Sequence, residues 1–317
     1  MIELDRIYNE DCLEGMQRIP DGSVDCIVCD LPYGTMKGAA LDGWKGTKTD
    51  WDEIIPSDKL FDQYERVLRV NGTAILFSQE PYTMHLRNFR PRNMEFCYPM
   101  IWKKNHFANA LVAKGAPVSY FEDINVFTKC HDSQLLHPLR DYVKIVMQYI
   151  GVTSFKAVNV RLGHRKAEHF FYADSSQFSL CTKEIYNELI EAYHIDKMEG
   201  YREWEDLQVE DEAFKCSVAK VFNLPEGAKS MSNVLEFSKD TDGFHPTQKP
   251  VALIRRLIAT YSNEGDTILD NCMGSGTTAI ACIREKRHFI GFELNEEYYA
   301  KSLKRIEAER QHLALCL

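Results

Sequence analysis

The sequence predicts an α/β protein, a parallel sheet wound with helices and interrupted by an inserted, mainly helical domain. Three observations carry this. Near the N-terminus, short β-branched-rich runs alternate with helical periodicities, and acids stand at the ends of those runs. Near the C-terminus, a glycine-bearing turn joins a strand pattern to a helix pattern. Between them the strand signals give way to long helical periods and an acidic tract from Glu199 to Glu212. The expected domains are residues 1–130, 131–231 and 232–317.

The chain has 317 residues, 44% of them hydrophobic, enough for a sizeable core. No window approaches ~18 consecutive apolar residues, and Met1-Ile2-Glu3-Leu4-Asp5-Arg6 lacks a basic-then-apolar signal pattern. A cytoplasmic protein without membrane contact is expected. The ten cysteines are scattered in apolar runs such as Ala281-Cys282-Ile283, as reduced, buried thiols would be. Cys26 and Cys29 match C-x-x-C, but strand positions three apart point to opposite faces, so they read as core. No His/Cys/Asp cluster has ligand spacing, so no metal is expected. A net charge of -9 argues against a protein that coats nucleic acid nonspecifically.

In chain order, Arg6 to Asp11 reads as a strand, Leu13 to Ile19 as a helix stopped by Pro20-Asp21-Gly22, and Val24 to Asp30 as a second strand. That strand ends in Asp30-Leu31-Pro32-Tyr33, which presents a carboxylate, a stiffened turn and an aromatic ring together. These are tools for handling a flat, polar ring, although Asp and Tyr also occur at turns for packing reasons. Gly34 to Asp52, with Trp44 and Trp51, reads as a long loop beside this tip. Helices over 57–69 and 81–89 and strands over 73–77, 96–102 and 122–128 continue the sheet. In the insert, helices are expected over 139–150, 154–162, 164–171 and 182–193. The second and third, around Gly163, suggest a helix-turn-helix. Lys156, Arg161, Arg165 and Lys166, with His164 among them, stand against the single acid Glu168, so a duplex could dock here; a solvated helix pair packed on the main domain is the other reading.

The last third holds His245-Pro246-Thr247-Gln248-Lys249-Pro250, leading into an apolar helix over 251–261. A strand ending in Asp270 follows, then Asn271-Cys272-Met273-Gly274-Ser275-Gly276-Thr277 opening a helix. Such a turn brings backbone amides close to a nucleoside-like ligand. Glu293 ends the next strand, 23 residues after Asp270, where a ribose-binding acid belongs. The third glycine of the dinucleotide fingerprint and a P-loop lysine are both missing, which favours a nucleoside without phosphates.

Together these segments resemble the beta-class S-adenosylmethionine-dependent DNA amino-methyltransferases. The tetrad is similar to the family's D-P-P-Y, residues 245–250 to its H-P-T-x-K-P, and Asp270 to Thr277 to its D-P-F-x-G-S-G-T, in the family's order. The resemblance implies a permuted Rossmann-like methyltransferase sheet, with the insert as target-recognition domain. It also implies S-adenosylmethionine as cofactor, double-stranded DNA as substrate, and methylation of N6 of a flipped adenine. Asp30, Leu31, Pro32 and Tyr33 would be catalytic. Asp270, Asn271, Cys272, Gly274, Ser275, Gly276 and Thr277 would shape the cofactor cleft, with Glu293 on the ribose and Asp11 on the adenine. His245, Thr247 and Lys249 would line the methionine side, and Lys156, Arg161, His164, Arg165 and Lys166 would meet DNA. Leu31 replaces a family proline, and Asn271-Cys272 replaces Pro-Phe. N4-cytosine methylation is the alternative within the family. A non-catalytic DNA-binding protein on a decayed scaffold is the alternative outside it. A cognate restriction enzyme and a homodimer are the further partners the family leaves open. In the expected sheet, the strand of the glycine turn lies beside the one ending in Asp30, and so does the strand from Tyr8 to Asp11.

Overall fold

Alternation along Val24–Asp30 explains the architecture: Cys26 and Val28 enter one buried cluster, Ile27 and Cys29 another, so this strand lies inside a sheet covered on both faces. The computed structural model describes residues 2–34, 52–108, 114–115, 117–130, 136–175, 177–240 and 248–315. The strands are β1 (Arg6–Tyr8), β2 (Val24–Asp30), β3 (Leu68–Ser78), β4 (Met94–Ala108), β5 (Ser119–Lys129), β6 (Val234–Glu236), β7 (Thr267–Asp270) and β8 (His288–Phe292). The helices are α1 (Cys12–Met16), α2 (Ser57–Val67), α3 (Tyr82–Asn88), α4 (Leu139–Tyr149), α5 (Phe155–Leu162), α6 (Lys183–Tyr193), α7 (Trp204–Ser217), α8 (Val251–Tyr261), α9 (Thr277–Arg284) and α10 (Glu296–Leu315).

The chain divides into two units, Met1–His131 with Lys220–Leu317, and Asp132–Ala219. In the first, the eight strands form one sheet in the order β1-β8-β7-β2-β3-β5-β4-β6. Met16, Phe61, Tyr64 and Leu86 from α1, α2 and α3 fill one face, and Leu253, Leu257, Ile280 and Ile306 from α8, α9 and α10 the other. Strands β1, β8, β7, β2 and β3 run parallel, so their carboxyl ends share one edge. Strand β5 is antiparallel to both β3 and β4, which brings the start of β5 and the far part of β4 to that same edge.

The strand of the glycine turn does lie beside β2, with Ile27 opposite Leu269. The first strand does not. β1 pairs with β8, two strands away from β2, so the two late strands insert between the strands of the N-terminal strand–helix–strand unit. β1 also stops at Tyr8, because the Asp11 carboxylate caps α1 by accepting from the N–H groups of Leu13 at 2.8 Å and Glu14 at 3.2 Å. Helix α2 ends at Val67, and β3 begins at once, with Asn71 in the left-handed region inside it. Residues 220–231, expected in the insert, belong to the first unit, where Asn223 N–H bonds the Thr260 carbonyl at 2.7 Å.

The second unit has its own core, built on Leu139, Val143, Val158, Phe170, Tyr186, Leu189 and Leu207. Ser154 caps α5, and Gly163 ends it in the left-handed conformation. The expected third helix over 164–171 is instead a turn followed by a 3-10 segment, Glu168–Phe171. The buried Glu168 carboxylate gathers Arg165, Tyr172 and Asn159 around it, and this holds a compact turn in place of a helix. Among the described residues no helix is long and apolar enough to cross a membrane, and every described cysteine is free.

Candidate active site

At the carboxyl edge of the sheet lies a cavity of about 630 Å³ lined by Asp11, Asp30, Tyr33, Lys249, Asp270, Gly274 and Glu293, among others. The acids at the ends of β2 and β8 and the cap of α1 thus open on one space. This is the crevice position expected for a ligand in a parallel α/β sheet.

One end of the cavity is built from the tetrad. Leu31 is buried in the core at 2% exposure, so its side chain anchors the turn and its missing ring costs no packing there. Tyr33 Oη donates to Asp30 Oδ1, and its ring stacks on Tyr82 of α3 at 6.3 Å and 28°. Lys249 Nζ donates to Asp30 Oδ2 and sits 3.1 Å from Glu122 Oε2, while Glu122 Oε1 accepts from Lys104. Burial raises the Asp30 carboxyl, with Lys249 opposing. Burial acts against ionisation of Glu122 too, yet Lys249 and Lys104 outweigh it and hold Glu122 below the usual carboxylate range. Lys249 is raised, because Asp30 and Glu122 overcome its own desolvation.

The other end is the glycine turn. Asp270 Oδ1 accepts from Cys272 N–H at 3.1 Å and Oδ2 from the Thr278 hydroxyl at 2.5 Å, and burial pushes this carboxyl up to about 7. Gly276 is the N-cap of α9 at φ 77°, where a Cβ would also come within 3.1 Å of Ser302. Glu293 Oε2 accepts from Gly274 N–H at 2.7 Å and Oε1 from Asn295 N–H at 2.8 Å, leaving lone pairs for hydroxyl donors; burial raises it. From behind, the Arg305 guanidinium donates to the Ser275 carbonyl and the Thr277 hydroxyl, both at 3.1 Å.

Several expected site residues stand differently from the sequence reading. Lys249, which lines the cavity, also reaches Asp30 and Glu122, a pairing the sequence reading did not give it. The Asn271 amide faces the interior, where Oδ1 accepts from Tyr64 Oη at 2.5 Å and Nδ2 lies 3.7 Å from Cys12 Sγ and 3.5 Å from Cys272 Sγ. Gly276 shapes the turn without lining the cavity, whereas Cys272, Ser275 and Thr277 line it. His245, Thr247 and most of the expected loop (35–51) lie outside the described residues. In the second unit Lys156, Arg161, Arg165 and Lys166 are exposed, but Arg165 is bonded to Glu168 at 2.6 Å, and His164, half-buried, bonds Glu188 at 2.6 Å. Sequence reasoning missed Glu122, Lys104 and Tyr82, which belong to no motif and meet the tip of β2 only through the antiparallel pairing of β5 and the packing of α3.

The residues also fit a cofactor of one chemistry. Seven carboxylate residues, Glu10, Asp11, Asp30, Asp52, Glu53, Asp270 and Glu293, line the cavity, and the basic side chain among the described lining residues, Lys249, is already held by two acids. Such a wall suits a cationic nucleoside and disfavours a phosphate. Sheet, glycine turn and carboxylate–aromatic tip together define a Rossmann-like transferase for a nucleoside cofactor.

A family model described as "DNA methylase", for the N6/N4 enzymes, matches residues 24–304, and the chain belongs to that family. It is similar to DNA adenine methyltransferase YhdJ of Escherichia coli (strain K12), 26% identical over 98% of this chain and 86% of that protein. The type II methyltransferase M2.DpnII of Streptococcus pneumoniae is 48% identical over 69 residues, 22% of this chain and 26% of that one. Among solved structures, the M1.HpyAVI–SAM complex has the same fold, with a TM-score of 0.53 at 18% identity over 95% of this chain and 98% of that one.

Proposed function

We propose that this protein methylates N6 of a specific adenine in double-stranded DNA, using S-adenosylmethionine. The observation that carries the reading is the single cavity shared by the Asp30–Tyr33 tip and the Asp270–Glu293 turn. When bound, S-adenosylmethionine supplies an electrophilic methyl group on a sulfonium. Glu293 would take the ribose hydroxyls and Asp11 the adenine, while Gly274 to Thr277 form the floor and Cys272 a wall. Asp270 holds that floor in shape through Cys272 and Thr278.

The target base leaves the duplex at a cost of a few kcal/mol. Tyr33 stacks on its face. Asp30 and the Leu31 carbonyl accept the two amine hydrogens, which localises the nitrogen lone pair and gives the departing proton a destination. Pro32 fixes the bend between them. An adenine target follows from Asp at the first tetrad position and is in keeping with the name of the E. coli relative. The second unit, with Lys156, Arg161 and Lys166 outermost, would read the duplex. Beyond DNA, a cognate restriction enzyme and a second copy of the chain are the proposed partners, testable by co-purification and sedimentation.

The test is labelled-methyl transfer to DNA by the wild type and Asp30→Ala, with single-molecule sequencing of DNA from expressing cells. We expect N6-methyladenine at one motif, and a loss of at least about a hundredfold in Asp30→Ala with cofactor affinity retained. Methyl groups on cytosine N4 would move the reading to its sister activity. An active Asp30→Ala would refute the catalytic assignment.

A further inference from the structure

We propose that Glu122, itself held by Lys104, is a positioning residue that fixes the Lys249 ammonium on the Asp30 carboxylate and thereby keeps Asp30 ionised and oriented toward the target amine. The inference rests on the assignment of Asp30 as amine acceptor made above.

The geometry is an alternating chain of charge, Asp30, Lys249, Glu122, Lys104, running from the cavity into the sheet. It is dry. The side chains of Lys249, Glu122 and Lys104 are 5%, 8% and 1% exposed, while Asp30 at 23% faces the cavity. Lys249 lies over the Phe77 ring at 5.2 Å and Lys104 over Trp102 at 5.0 Å. In such surroundings no single charge survives unaided, because desolvation neutralises an isolated carboxylate or ammonium. A protonated Asp30 would forfeit one acceptor oxygen and could not take the proton that the amine gives up.

Lys249 prevents that, but it needs its own support. Asp30 alone must share its oxygens with Tyr33 and the incoming amine, so its hold on Lys249 weakens when the site fills. Glu122 is the second carboxylate, and it faces away from the cavity. Lys104 then plays for Glu122 the part that Lys249 plays for Asp30. The other titratable groups facing the cluster among the described residues include Tyr33, Asp270, Cys29, whose thiol burial pushes up to about 11, and Lys239, whose ammonium is lowered by burial and by both lysines. The four elements meet because β5 runs antiparallel, so that Glu122 at its start and Lys104 late in β4 arrive at the edge where β2 ends.

The experiment is the pH dependence of single-turnover methyl transfer, with cofactor affinity measured on the same samples. Glu122→Gln keeps the shape and leaves Lys249 with one carboxylate. Its rate should fall by on the order of tenfold and its profile should gain an alkaline limb, absent from the wild type, as Lys249, with one carboxylate fewer, loses its proton at lower pH than in the wild type. Glu122→Asp, which keeps the charge, should lack that limb. Lys104→Met/Glu122→Gln removes one charge of each sign, so it guards against misfolding, and it should show the same limb. Cofactor affinity should stay within about twofold in all three, since none of these residues forms the glycine turn. A wild-type profile in Glu122→Gln, or an equal loss in Gln and Asp variants with unchanged shape, overturns the proposal. A wild type that methylates no DNA would instead overturn the functional reading beneath it.

Discussion

Asp270 shows how far one carboxyl can be drawn from its usual behaviour for the sake of a turn. It is buried, and although it accepts from the Cys272 N–H and the Thr278 hydroxyl and pairs with the Cys29 thiol, burial outweighs them and pushes its carboxyl up to about 7. The folded protein therefore binds this proton more tightly than the unfolded chain, and the group's contribution to stability is fully present below the unfolded pKa and lost as pH rises through about 7. Asp270→Asn deletes that slope. In the ligand-free protein, the variant should melt below the wild type at about pH 5 and gain on it by about 2 °C or more by pH 8. Parallel melting curves across that range would show that Asp270 titrates normally. The need for an acid here was legible in the sequence, since Asp270 ends an apolar strand before a glycine turn. The interior role of Asn271 was not, because its partner Tyr64 lies on a distant helix face.

At the scale of elements, the turn between β7 and α9 is shaped from inside by glycines and clamped from outside by α10. Gly274 and Gly276 both adopt positive φ, and Arg305 on α10 grips the carbonyl and hydroxyl that flank Gly276. Gly276→Ala adds backbone strain and a contact with Ser302. It should cost about 1–3 kcal/mol of stability and weaken cofactor binding, as calorimetry would register. Arg305→Met leaves the glycines alone but frees the turn. It should lower cofactor affinity with a smaller change in melting temperature, and unchanged affinity would sink the clamp. Helix and strand positions on this side were readable from periodicity and glycine punctuation. The length of β3 was hidden by Asn71-Gly72, which resembles a helix stop but sits within the strand.

For the molecule as a whole, the apolar runs disclosed which segments are strands, and the motifs disclosed which strand tips line the cavity. Strand order was less accessible. Nothing local in Arg6–Tyr8 says that β8 will claim it, since that pairing is decided by residues at the far end of the chain. The same limit applies to charge, because a basic cluster in the sequence is only basic in space if its acids lie elsewhere. In an acidic protein of net charge -9, the basic residues from 156 to 166 of the second unit fall into two sets. Arg165 and His164 are bound to Glu168 and Glu188, whereas Lys156, Arg161 and Lys166 are exposed with no ion pair among the described residues. If this unit docks on a duplex, only the second set is free to displace counterions from phosphates. Each Ala substitution at Lys156, Arg161 or Lys166 should weaken DNA binding about equally for cognate and non-cognate duplexes and reduce the slope of log affinity against log salt by about one. Arg165→Ala should leave that slope unchanged and act on the local turn around Glu168. Fluorescence anisotropy across a salt series distinguishes the two sets, and a slope that drops for Arg165 but not for the three free cations would move the docking surface elsewhere.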